Sequence, residues 1–170
     1  MNPEKSNVVH GVSLLTEQDA HLFKEGTHYR LYEKLGSHII THDGQKGVYF
    51  SVWAPNAQSV SVQGDFNQWN KQSHPLSVRW DSSGIWEGFI PGLDKGATYK
   101  YYVVSKYNNY RADKADPYAF YAETSPKTAS VVWDFDYAWA DQEWMKDRHQ
   151  PNSLKAPMAT YEMHFGSWRR

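Results

Sequence analysis

Trp69 stands in the run Gly64-Asp65-Phe66-Asn67-Gln68-Trp69-Asn70, an indole bracketed by three carboxamides. An indole face packs well on the axial C–H face of a pyranose ring, and neighbouring amides supply donors and acceptors for sugar hydroxyls. A second reading stays open from these residues alone. Trp69 folds back as a lid on the core, and the asparagines only cap the turn. His10, His21, His28, His38, His42, His74, His149 and His164 are scattered without paired ligand spacing, so no metal site is expected. Asp134, Asp136 and Asp141 flank Trp133 and Trp139 and read as a solvated linker, not as a carboxylate pair.

The elements that would hold Trp69 are strands. Val60 and Val62 alternate before Gly64, and Gly64, Asp65 and Asn67 favour a turn over a strand, so the chain should reverse there with Trp69 on the loop. The same period of two runs from Ser37 onward. Short strands are predicted over Ile39–Thr41, Val48–Trp53, Gln58–Gly64, Pro75–Trp80, Ile85–Ile90, Thr98–Val104, Tyr110–Ala112 and Ser130–Trp133, with turns at Asp43-Gly44, Asp81–Gly84, Pro91-Gly92 and Asn108-Asn109. Val48, Phe50 and Val52 should face inward, and Trp86 should share a face with Ile90. Strands at this spacing predict an all-β, immunoglobulin-like sandwich. Ahead of it lies a short helical segment over residues 1–35, in which Thr16 caps a helix reaching Lys24 and Gly26 ends it. Residues 36–133 form the sandwich and 134–159 an extended linker. Residues 160–170 read as the first strand of something further.

The composition narrows the function classes. A chain of 170 residues predicts one main domain, and a net charge of −1 implies neither nucleic acid nor a membrane surface as a partner. With no cysteine there is no disulfide scaffold, which fits a reducing, cytoplasmic setting. No apolar run spans a bilayer, and the first 19 residues lack the apolar core of a signal peptide. The 8 tryptophans and 12 tyrosines exceed what a core of this size needs, so some rings should face outward to bind something.

Five stretches occur in one order: Ser51-Val52-Trp53-Ala54-Pro55-Asn56-Ala57, Gly64 to Trp69, Tyr99-Lys100-Tyr101, Asp116-Pro117-Tyr118-Ala119-Phe120, and Tyr161-Glu162-Met163-His164-Phe165-Gly166-Ser167-Trp168-Arg169-Arg170. Together they resemble the bacterial glycogen branching enzymes, from about residue 26 to the C-terminus. Single stretches are shared with glycogen debranching enzymes and with the glycogen-binding module of the AMP-activated kinase β subunit. The resemblance implies an α-glucan-binding β-sandwich over residues 37–133 and the first strand of a (β/α)8 catalytic barrel over Tyr161–Trp168. Branching is retaining chemistry, which needs a carboxylate nucleophile and a carboxylic acid about 5 Å apart. By the resemblance those acids lie on later barrel strands, so no catalytic residue and no cofactor is expected among these residues, and the chain alone should be inactive.

The resemblance also names candidate glucan contacts. Trp69 would stack on glucose, Lys100 would bond hydroxyls, and Tyr110 would complete a cradle where the kinase module has a larger Trp. Asn67 and Thr128 are further candidates. Lys100 shares a strand face with Tyr102, opposite Tyr99 and Tyr101, and is available to solvent on that face. The expected partners are therefore α-glucan chains and the catalytic barrel of the same protein. Three alternatives remain open: a module whose rings brace the catalytic barrel instead of binding glucan, a stand-alone adaptor that tethers a partner to glycogen, and the equivalent module of a debranching enzyme.

Overall fold

The computed structural model describes residues 7–168. The chain divides into two units, Met1–Asp134 and Phe135–Arg170. Nine strands among the described residues of the first unit build two antiparallel sheets. β1 (Gly36–His42) and β2 (Gln45–Trp53) form a hairpin whose two turn residues, Asp43 and Gly44, both have positive φ, the geometry that matches strand twist. β5 (Ile85–Pro91) and β4 (Ser77–Val78) complete that sheet in the order β1-β2-β5-β4. The second sheet runs β3 (Ala57–Gly64), β6 (Thr98–Ser105), β9 (Ser130–Val131), β8 (Tyr121–Ala122), and β7 (Arg111–Lys114) pairs beside β6.

The core lies between the sheets. Val48, Phe50 and Val52 point into it from β2, Trp86 and Ile90 from β5, Val60 and Val62 from β3, and Tyr99 and Tyr101 from β6. These are the residues that a period of two selects. At one end of the core the Asp116 carboxylate accepts hydrogen bonds from the Tyr99 hydroxyl at 2.6 Å and the Tyr101 hydroxyl at 3.2 Å. Burial raises the Asp116 carboxyl above its ordinary value, although both hydroxyls and the Tyr118 amide pull it the other way.

Two segments depart from the expected strand pattern. The stretch read as one strand from Pro75 to Trp80 switches sheets instead. The His74 carbonyl accepts from Val62 N and Leu76 N donates to the Val60 carbonyl, whereas Ser77 and Val78 pair with Glu87 and Trp86 in the other sheet. Only two residues are left as regular strand, because the backbone bonds of the corner are divided between two partners. The second departure is β8, which no alternating pattern marks.

The outer face of the first sheet is also buried. Val9 pairs with Phe89 through Val9 N to Phe89 O at 2.7 Å and Phe89 N to Val9 O at 3.0 Å. Val12 then covers Tyr49 and Phe89. The Glu87 carboxylate lies beneath this segment. It accepts from the Tyr49 hydroxyl at 2.6 Å, the Ser13 hydroxyl at 2.8 Å and the Arg79 guanidinium at 3.0 Å. Beyond it, helix α1 (Glu17–Glu25) starts at a reciprocal cap: Asp19 N donates to Thr16 Oγ1 and Thr16 N to Asp19 Oδ2. Gly26, in left-handed backbone, closes it.

The second unit holds a short helix, Gln142–Asp147, and a single 3-10 turn, Phe165–Ser167. No strand is present among its described residues, and Arg169 and Arg170 of the strand expected over 160–170 lie outside them. An isolated strand leaves its backbone groups unpaired, and among the described residues 160–168 none enters a strand. Tyr161 packs edge-on against Trp168 with ring centroids 5.2 Å apart, and both rings remain exposed.

Candidate functional site

Gly64 ends β3 at a point where the chain passes very close to β6. A Cβ there would come within 2.1 Å of the Thr98 carbonyl and 2.6 Å of the Phe66 ring, so only glycine fits. The next residues form a single 3-10 turn, Asp65–Asn67, and Gln68 and Trp69 then take left-handed backbone. Asn67 holds this loop from within. Its Oδ1 accepts from Gly64 N at 2.9 Å, and its Nδ2 lies 3.0 Å from the Val62 carbonyl and 2.9 Å from the Ser73 hydroxyl. Trp69 N donates to the Gly64 carbonyl at 2.8 Å and the indole is left 40% exposed. The loop therefore carries Trp69 outward.

Lys100 comes from the outer face of β6. Its Nζ donates to Thr128 Oγ1 at 2.7 Å, and both side chains border the same depression of about 680 Å³ as Trp69, Asp65 and Glu123. An ammonium has three donors, so two remain for a ligand, and the Thr128 hydroxyl can donate onward. The formal charges of the lining balance, Asp65 and Glu123 against Lys100 and Lys127. Such a balance suits an uncharged, hydroxyl-rich ligand better than an anion.

The structure thus brings Trp69, Lys100 and Thr128 together. It places the other two candidates differently. Asn67 spends its amide on the loop, so it positions Trp69 and has little left to offer a hydroxyl. Tyr110 is 55% exposed, but its carbonyl accepts from Ser105 N at the far end of β6. Five residues of strand separate that level from Lys100, roughly 17 Å. Between them Lys71 reaches Asp113 at 2.9 Å and crosses the Tyr102 ring, making a ridge on the sheet surface. Asp65 and Glu123 escaped the sequence reading because Asp65 reads as a turn residue and the loop before β9 shows no periodicity. Asp65 Oδ1 accepts from Thr98 N at 3.2 Å and ties the loop to β6. Among the described residues no group of three or more His, Asp or Glu side chains could hold a metal ion, and no helix is long and apolar enough to cross a membrane.

Residues 34–119 match the family described as Carbohydrate-binding module 48 (Isoamylase N-terminal domain). The chain belongs to this family. Among curated relatives, the module is 52% identical over 158 residues to the 1,4-alpha-glucan branching enzyme GlgB of Aquifex aeolicus, covering 93% of this chain and 25% of that protein. It is 51% identical over 159 residues to the branching enzyme GlgB of Gloeobacter violaceus, covering 93% of this chain and 22% of that one. The chain therefore spans about a quarter or less of the relatives it matches. Among solved structures, the maltotriose complex of the PulA-G680L mutant from Klebsiella pneumoniae superposes with a TM-score of 0.50 at 26% identity, over 62% of this chain and 11% of that one. Trp69 and Lys100 lie inside the matched residues of the module, and Thr128 lies beyond them.

Proposed function

We propose that the outer face of the second sheet docks α-1,4-glucan chains, with Trp69 as the stacking platform and Lys100 and Thr128 bonding sugar hydroxyls. One observation carries this reading. An indole is held outward by a loop with a fully committed Asn67, directly beside an ammonium–hydroxyl pair in a depression without net charge. The similarity to branching enzymes and the maltotriose bound by a structural neighbour point to the same ligand class. On this reading the chain is the glucan-binding N-terminal module of a cytoplasmic 1,4-α-glucan branching enzyme. Residues 36–133 are the binding domain, 134–159 a linker, and 160–170 a strand that pairs only when the catalytic barrel is present. Glucan transfer belongs to that barrel, and the module's part is to hold substrate chains near it.

Affinity electrophoresis in glycogen-containing gels tests the reading. The chain should be retarded, Trp69→Ala should migrate as in a glycogen-free gel, and Lys100→Ala should fall between. Equal retardation of the wild type and Trp69→Ala would remove Trp69 from the site. No retardation of the wild type would overturn glucan docking altogether. A second role is favoured by Trp53 and Trp80, both exposed beside α1 and well away from Trp69, which would brace the module against the remainder of the protein.

A further inference from the structure

The depression at Trp69 does not end at Lys100. It shares Thr98, Glu123 and Lys127 with a second depression of about 580 Å³ whose other wall carries Tyr121 and Trp133. Strand register puts all of these on one surface. Thr98 is opposite Val131, and Val131 is opposite Tyr121. Pairing continues through Val132 N to the Ala97 carbonyl and Gly96 N to the Val132 carbonyl, so Gly96 and Ala97 both oppose Val132, and Trp133, the next residue, borders the same depression as Gly96. Residues directly opposite one another share a face, and that face also carries Lys100. Val132, one step out of phase, points into the core and is fully buried.

The two rings are built as a unit. Tyr121 and Trp133 lie with centroids 4.9 Å apart and planes tilted by 33°, and Lys95 Nζ sits 4.2 Å from the Trp133 centroid. Lys95 is fixed in turn by Asp134 at 2.6 Å. Trp133 is thus backed and braced, while Tyr121 keeps half of its surface exposed. From the level of Lys100 to that of Trp133 is four residues of strand, roughly 14 Å. This is a longer track than a single sugar fills.

We infer that the docking face runs from Trp69 past Lys100 to a second stacking platform, the Tyr121 ring backed by Trp133, and so takes an α-1,4-glucan several residues long. The inference rests on the glucan-docking function proposed above, and it replaces Tyr110 by Tyr121 as the second ring. Glu123 and Lys127 line the middle of the track and meet sugar hydroxyls there. The balance of charge found at Trp69 extends along it.

Isothermal titration of the chain with maltotriose and with maltoheptaose tests the track. The wild type should bind maltoheptaose more tightly than maltotriose. Tyr121→Ala should weaken maltoheptaose binding by about five-fold and leave maltotriose binding at Trp69 unchanged, since one stacking contact is lost. Tyr121→Phe should behave as the wild type, because the ring and not the hydroxyl is the platform. Trp69→Ala should weaken both sugars. An unchanged ratio of the two affinities in Tyr121→Ala, with its circular dichroism intact, would overturn the second platform and leave docking at Trp69 standing. Failure of the wild type to bind either sugar would overturn both.

Discussion

The two outer faces of the sandwich carry similar residue types and put them to opposite uses. On the first sheet Tyr49, Phe89, Arg79 and Glu87 lie under the N-terminal segment, and the Tyr49 hydroxyl, the Arg79 guanidinium and the Glu87 carboxylate all have protein partners. On the second sheet Trp69, Lys100 and Tyr121 are left open, and their braces come from below or beside them: Asn67 inside the loop, Thr128 next to the ammonium, Trp133 behind the tyrosine. A covered charge must be neutralised by the fold itself. An open one can be half-satisfied by the fold and finished by a ligand. The contrast teaches that the difference between core and site here lies in what covers the sheet and not in strand composition.

The sharpest way to break this contrast is on the covered side. Removing one member of a buried ion pair strands the other, which costs about 3–5 kcal/mol. Glu87→Ala leaves the Arg79 guanidinium with Asp81 as its one carboxylate and takes the acceptor from Tyr49 and Ser13. Its melting temperature should fall by roughly 10 °C, while its affinity for maltoheptaose, measured well below the transition, stays within about twofold of the wild type. A large loss of affinity would mean that the two faces are coupled and the division above is wrong.

The division also explains what could be read in advance. Strand spacing, the inward sets on β2 and β5 and the hairpin at Asp43-Gly44 follow from local rules, and they appear in the structure. The burial of Tyr49 did not follow, because it depends on a segment about 37 residues earlier that happens to lie across β2 and β5. That Trp69 stands on a turn and Lys100 on the outward strand phase was legible, and both border one depression. Tyr110 is expected in the cradle by the resemblance alone, and the register of β7 against β6 sets it level with Ser105, five residues of strand from Lys100. Tyr121 and Trp133 were invisible as a pair, since only the pairing of β8 with β9 brings them together.

On the open side the contrast is sharpened at Gly64. Its φ is extended, so backbone strain is no issue; the close approach to Thr98 and Phe66 is. Gly64→Ala must push β6 and the loop apart, at a cost of about 2 kcal/mol. Because Asp65 and Asn67 hang from the same turn, Trp69 moves with it. The expected result is a modest drop in urea midpoint together with a loss of glycogen retardation as complete as that of Trp69→Ala. Loss of stability with retained retardation would show that Trp69 tolerates displacement, and Asn67 would then lose its role as the residue that aims it.

The smallest effect separates the faces by acid. Asp81 is buried, which by itself raises a carboxyl, but hydrogen bonds from the Ser83 hydroxyl and amide and from Arg79 outweigh this and bring it from 3.8 to about 2. Burial opposes ionisation at Asp19 as well, and there the Thr16 amide, His28 and Lys34 hold the carboxyl well below the ordinary range. Both groups therefore bind fewer protons in the folded chain than in the unfolded one. The stability they contribute is fully present above the ordinary carboxylate value and is lost as pH falls through the lowered one. Asp116, raised by burial, works in the opposite sense and blunts the trend. Urea unfolding at about pH 5 and about pH 2.5 should show a loss on the order of 1–2 kcal/mol in the wild type that Asp81→Asn reduces. Because Asp81 holds Arg79, which donates to Ser13, and Asp19 holds Lys34, which donates to the Leu14 carbonyl, hydrogen exchange at the amides of Val9 and Phe89 should rise in acid before exchange in β6 does. Simultaneous opening of both would mean that the covering segment and the second sheet unfold as one.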